Sequence, residues 1–262
     1  MEPNMKHQLR SNVDRVMERI HAACDRAGRR RDQVRVVIVT KYVALDVIRS
    51  LLEMGWRDLG ESRPQELCRR AAATREWVER QIHNPANTLT LDDLPRWHLV
   101  GHLQRNKVKP VLKWAHVIHS VDTLRLAEEI NAQSVEAAVT TDVLLEVNVA
   151  GEAHKHGVAV AAAVHLAEMI ATLKRVRLCG LMAMAPLTDD PAPIRRVFER
   201  TGELFDEIRH EGIGGDDFTE LSMGMTNDFE HAIEFGATLL RIGSAFFEGI
   251  MQPVGEQVGE EE

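Results

Sequence analysis

Apolar positions along this chain follow two rhythms in turn. The first is helical: Leu9, Val13, Val16, Ile20 and Ala23 recur every three or four residues and predict an amphipathic helix over 5–27. After it, short runs of β-branched and apolar residues alternate with helical stretches. The runs predict eight strands, at 34–41, 57–61, 96–101, 116–121, 142–149, 176–184, 218–223 and 239–243. Between them, "ALDVIRSLLEMG" groups Ile48, Leu51 and Leu52 and stops at Gly55. "PIRRVFERTGELFDEIRHEG" stacks Ile194, Val197, Phe198, Leu204, Phe205 and Ile208 ahead of Gly212. "TNDFEHAIEFGA" opens on Asn227 or Asp228 as a cap and closes at Gly236.

Eight strand–helix units in 262 residues predict an α/β chain of one closed (β/α)8 TIM barrel preceded by an extra helix, with a doubly wound open sheet as the competing arrangement. Nothing reads as a linker between domains, so residues 1–250 form the barrel unit and the acidic tail, 251–262, is expected to be disordered. The stretch 82–95 reads as a long loop on the face away from the mouth. A formal net charge of −8 argues against nucleic acid or an anionic membrane as partner. The basic run "RAGRRR" (26–31) reads as a helix C-terminus stopped by Gly28, where cations meet the negative end of the dipole. Three dispersed cysteines without zinc spacing, no apolar leader and no membrane-length span describe a soluble, cytoplasmic protein with reduced thiols.

In a barrel, the residues after each strand converge on one mouth. The first strand runs into a lysine, in "VRVVIVTKYVA" (34–44). A long stem lets such an amine snorkel to water; it also places a nucleophile where burial can keep it uncharged. Other strand ends offer Glu61, Ser62, Gly101, His102, Gln104 and Asn148. After the last two strands, "LSMGMTND" and "RIGSAFFEG" supply Ser222, Gly224, Gly243 and Ser244, with Arg241 alongside. Small residues there let backbone N–H groups approach an anion, and barrels commonly hold phosphate at these two loops. A lysine on one side and a phosphate cradle on the other suggest a phosphorylated aldehyde held as a Schiff base. The expected neutral amine would come from burial, with Arg241 acting in the same direction.

"VVIVTKY", "WHLVGHLQRNKVK" (97–109), "LMAMAP" (181–186) and "LSMGMTNDFEHAIEFGATLLRIGSAFFEG" (221–249) resemble the pyridoxal phosphate homeostasis proteins, the YggS or PROSC family, from about residue 5 to 249. The resemblance implies an alanine-racemase-like (fold type III) barrel that binds pyridoxal 5'-phosphate (PLP) as a Schiff base on Lys41. It implies that Ser222, Met223, Gly224, Arg241, Gly243 and Ser244 surround phosphate and ring, with Ser62 nearby and Arg241 facing either the phosphate or the pyridine nitrogen. The implied role is homeostasis of PLP and of linked amino-acid metabolism without established turnover, with PLP-dependent apoenzymes as recipients. The family's "SKTKP" is "TKYVA" here and its "GEN" is "GES", so Ser62 stands where it has asparagine.

The alternatives are a PLP-dependent racemase or decarboxylase using the same lysine, and an aldolase in which Lys41 captures substrate directly. Against the racemase, the single tyrosine, Tyr42, adjoins Lys41 and by strand alternation points to the opposite face. A monomer is expected, because the racemase's dimer-forming second domain is missing. No metal is expected: His98 and His102 lack the glutamate of a zinc helix, and "HKH" (154–156) reads as a solvated loop on the mouth side. "RNKVK" reads as a helix start, and the methionines of "LMAMA" and "SMGM" as barrel packing, with Met223 touching the ligand.

Overall fold

The computed structural model describes residues 2–82, 89–152 and 156–250. Helix α1 (Pro3–Arg26) buries the five residues predicted for its inner face, together with Asn12 and Cys24. Asn12 donates from Nδ2 to the carbonyls of Phe246 and Glu248, which ties α1 to the last βα loop. The basic run behaves as a helix end. Gly28 takes φ +64°, Arg29 donates to the carbonyls of Ile233 and Ala237, and Arg30 and Arg31 pair with Asp32 and Asp25.

The barrel units follow in order: β1 (Arg35–Val39), α2 (Leu45–Glu53), β2 (Asp58–Glu61), α3 (Pro64–Ile82), β3 (Arg96–Leu99), α4 (Val108–Leu112), β4 (Ala115–Val121), α5 (Leu124–Glu136) and β5 (Thr141–Asn148). Then come β6 (Val158–Ala159), α6 (Val160–Ala171), β7 (Val176–Met182), α7 (Pro191–His210), β8 (Glu220–Ser222), α8 (Phe229–Glu234) and β9 (Leu239–Ile242). All ladders are parallel. Eight strands run β4–β3–β2–β1–β9–β8–β7–β5, and a β4–β5 pairing closes the ring. The two-residue β6, which the sequence pattern did not predict, extends β5 outside that ring.

Every predicted strand is present, with two informative shortenings. β1 stops at Val39, so Lys41 lies in a turn beyond the strand, and β8 covers only Glu220–Ser222. The helical patterns hold: Ile48, Leu51 and Leu52 are buried on α2, and all six predicted residues are buried on α7. "RNKVK" begins as a single 3-10 turn (Arg105–Lys107) that leads into α4. Most of the core lies between strands and helices, where Ile38, Leu99, Ile118, Leu221 and Ile242 point outward. A smaller set (Val37, Leu144, Cys179, Met182 and Leu239) packs inside the ring, as period-2 alternation requires. Part of the 82–95 loop, the "HK" of "HKH" and the acidic tail lie outside the described residues. Among the described residues, no helix is long and apolar enough to cross a membrane.

Candidate functional site

At the C-terminal mouth of the barrel lies a cavity of about 790 Å³, within the range that holds a small ligand. Lys41, Ser62, Arg241, Gly243 and Ser244 line it.

The turn carrying Lys41 is held from beneath. Thr40 Oγ1 donates to Glu61 Oε1 at 2.5 Å, and Arg70 Nε stands 3.3 Å from the same oxygen. Arg70 also donates to the carbonyl of Val43 at 2.7 Å, and Val43 N–H donates back to Thr40 O, which closes the turn. Glu61 is only 1 % exposed. Burial raises its pKa, while Arg70 and Thr40 act to keep it ionised. A buried ion pair thus fixes the backbone on both sides of the lysine.

The lysine itself differs from expectation. Lys41 is exposed, not buried among strands, and its Nζ sits 4.7 Å from the centre of the Tyr42 ring. Strand alternation does not separate the two residues, because β1 has already ended. Tyr42 lines the same cavity, beside the lysine rather than across from it. The loops after β2 and β3 meet at Gly101, where a Cβ would lie 2.2 Å from Ser62 O. That close approach brings Ser62 and His102 to the rim.

Of the predicted phosphate group, Gly243 and Ser244 border the cavity but Ser222, Met223 and Gly224 do not. Met223 is fully buried among the outer core residues. Gly224 takes φ +91°, and a Cβ there would stand 2.6 Å from that of Ala232, so this residue lets the loop press onto α8. The chain reaches the cavity only afterwards, at Met225, Thr226, Asn227 and Asp228. Thr226 and Ser244 then pair through their hydroxyls at 3.0 Å, joining the β8 and β9 loops. Asp228 Oδ1 accepts from Met225 N–H at 2.5 Å and shapes the same turn.

Ser222 belongs to a different construction. A line of buried polar groups runs through the barrel from its far end to the cavity floor. Asp58 lies 3.1 Å from His98 Nε2, His98 Nδ1 lies 2.9 Å from His119 Nε2, and His119 Nδ1 lies 2.9 Å from Ser222 Oγ. Arg241 completes it, donating to Ser222 Oγ at 2.7 Å and to Ala183 O at 2.9 Å. Burial opposes ionisation of Asp58, but hydrogen bonds from His98 and Arg96 prevail and hold its pKa at about 2. A carboxylate can only accept, so His98 carries its proton on Nε2. His119 is held well below the usual histidine range by burial, then by His98 and Arg241, and stays neutral. If His119 keeps its own proton on Nε2, Ser222 O–H donates to its Nδ1 and every group is satisfied. The reverse tautomer would strand the serine hydrogen. All donors therefore point from Arg241 towards Asp58, an arrangement in which each bond polarises the next. Burial lowers Arg241 to about 10, so at neutral pH it remains a cation in the floor.

Beside Arg241 on the floor stands Glu146, on the inner face of β5 and 3 % exposed. It was not among the predicted site residues, although a lone acid in the apolar run "VLLEV" (143–147) signals it. Burial raises it to about 7; the nearby Asp122 adds to the shift and Arg241 opposes it. The folded chain therefore holds this proton more tightly than the unfolded one, whose reference is 4.5. The stability so gained is full at low pH and is lost as pH rises through 7, by roughly 3 kcal/mol in all. Glu146→Gln should consequently gain about that much on wild type between about pH 4 and pH 8 in urea unfolding of PLP-free protein. A difference between the two that does not vary with pH would contradict this.

The family model for the alanine racemase N-terminal domain matches residues 8–250. The pyridoxal phosphate homeostasis protein of Aquifex aeolicus is 37% identical over 235 residues, covering 90% of this chain and 95% of its own. A solved protein of unknown role from Bifidobacterium adolescentis superposes with a TM-score of 0.85 at 37% identity, over 94% of this chain and 97% of its own. PipY of Synechococcus elongatus, solved with PLP bound, gives a TM-score of 0.71 at 29% identity over 82% of this chain and 92% of its own. The closed barrel, the lysine after its first strand and these likenesses place the chain in one lineage: it belongs to the pyridoxal phosphate homeostasis family, built on the alanine racemase N-terminal domain.

Proposed function

We propose that this protein binds PLP, holds it as a Schiff base on Lys41 and serves intracellular vitamin B6 balance as a carrier without turnover of its own. In this reading it works as a cytoplasmic monomer, and PLP-dependent apoenzymes receive the cofactor. The observation that carries it is the meeting of three groups in one cavity: the Lys41 amine, the Arg241 guanidinium, and the Thr226–Ser244 hydroxyl pair beside bare Gly243. The homeostasis name of the Aquifex relative and the PLP held by PipY support the identity of the ligand.

When bound, PLP supplies an electrophilic aldehyde, an aromatic ring and an anionic tail. The chain's own groups divide that work. Thr226, Gly243 and Ser244 take the phosphate, because small residues and hydroxyls leave N–H and O–H donors open to an anion. Arg241 is anchored deeper, by Ser222 and Ala183, and would meet the ring from the floor. Ser222 acts on the ligand through Arg241, while Met223 and Gly224 set the loop from behind. Lys41, exposed at the rim, is accessible both for capture and for release, as a carrier requires. Tyr42 stands on the lysine's own side, so it does not supply a proton donor facing the lysine as two-base racemisation needs.

Purified protein should be yellow, and borohydride should abolish its long-wavelength absorbance. Lys41→Ala should be colourless and bind PLP only weakly. Incubation with L-amino acids followed by chiral analysis should show no conversion beyond that of free PLP. A colourless wild type that cannot be reconstituted with PLP would reject the proposal, and sustained turnover would replace the carrier with an enzyme.

A further inference from the structure

We propose that His102, Asp122 and His156 form a binding site for a zinc-class divalent cation at the rim of the barrel mouth. They come from three neighbouring loops, after β3, β4 and β5, so only the closed ring brings them together. One ligand atom from each lies within 4.8 Å of the other two. The imidazoles are parallel, with centroids 4.1 Å apart and planes 13° apart. Two imidazoles and one carboxylate make a donor set that zinc and its neighbours accept, with further positions left open.

On a single ion, bonds of about 2.0–2.2 Å place ligand atoms roughly 3–4 Å apart. The ligand atoms lie within 4.8 Å of one another, but the rings are stacked face to face, so binding requires one ring to turn towards the other. Both histidines are exposed and Asp122 is half-buried, so that rotation displaces no core packing. The i, i+4 neighbour of His102, His98, is excluded, because both of its nitrogens are engaged inside the barrel by Asp58 and His119. His102 and His156 also line the mouth cavity, so the open coordination positions would face whatever the cavity holds.

The test is calorimetric titration of zinc chloride into purified full-length protein, in PLP-loaded and PLP-free forms alike, so that failure to bind PLP leaves the metal result readable. One ion per chain is expected. His156→Ala and Asp122→Asn should each weaken binding by more than about 100-fold, beyond the 10–100-fold cost of losing only a supporting partner. His165→Ala, an exposed histidine on α6 paired with Glu168, should bind as wild type does. Thermal unfolding of each variant confirms that it is folded. No stoichiometric uptake by wild type, or equal affinity in folded His156→Ala and Asp122→Asn, would overturn the site.

Discussion

Arg70→Ala is expected to lower stability by about 3–5 kcal/mol, the cost of removing one partner from a buried ion pair. Glu61 is nearly inaccessible, and Arg70 is the cation against it. Without the guanidinium, the carboxylate must either lose its charge or remain unpaired, and Val43 O loses its donor. For a chain of this size each kcal/mol moves the melting temperature by about 2–4 °C, so a fall of roughly 10 °C is expected. The second consequence is local. Thr40 and Val43 flank Lys41, so the variant should also trap PLP less completely with borohydride at a temperature where it is still folded. Replacing both partners with apolar residues (Glu61→Leu with Arg70→Met) should recover most of the stability, because no buried charge is left unpaired. A loss below about 1 kcal/mol for Arg70→Ala would show that the pair is far better solvated than its burial implies.

His119→Phe should cost a comparable amount, for a different reason. Phenylalanine fills similar space but makes neither hydrogen bond. His98 Nδ1 and the hydrogen of the Ser222 hydroxyl would then be unpaired in a dry interior, at about 1–3 kcal/mol each, although Arg241 still donates to Ser222 Oγ. Arg241 would lose the polarised support behind one of its two anchors, and PLP affinity should fall along with stability. A purely packing role for His119 predicts a stability loss without the change in affinity. Nitrogen NMR on the wild-type protein supplies an independent reading, with His119 expected neutral and protonated on Nε2. A doubly protonated His119 would contradict the direction assigned to the hydrogen bonds.

The residues explain why some of this is readable in the sequence and some is not. Strand positions come from β-branched runs such as "VRVVIV", because a strand buried on both faces leaves little choice of composition. The lysine after β1 and the two glycine-containing loops after β8 and β9 stand out because barrel chemistry gathers at the C-terminal ends of strands. Errors arise where a period is carried past the end of its element. Strand alternation puts Tyr42 opposite Lys41, yet both residues lie in a turn. At the end of β8, Ser222 is taken up by His119 and Arg241, and beyond it Gly224 by the approach to α8. The chain therefore reaches the cavity at Met225, and Thr226 is the residue that pairs with Ser244. The line from Asp58 to Arg241 depends on register between strands distant in sequence, such as His98 opposite Val117, and no local pattern encodes that. The pairing of His102 with His156 is hidden for the same reason.

Borohydride reduction of the PLP-loaded protein, followed by peptide mass mapping, tests the central claim most directly. One pyridoxyl group per chain is predicted, on the peptide containing Lys41 and nowhere else. Stoichiometric label on another lysine, such as Lys107 or Lys109 of the β3 loop and α4, or no covalent label on a protein that still binds PLP, would contradict it.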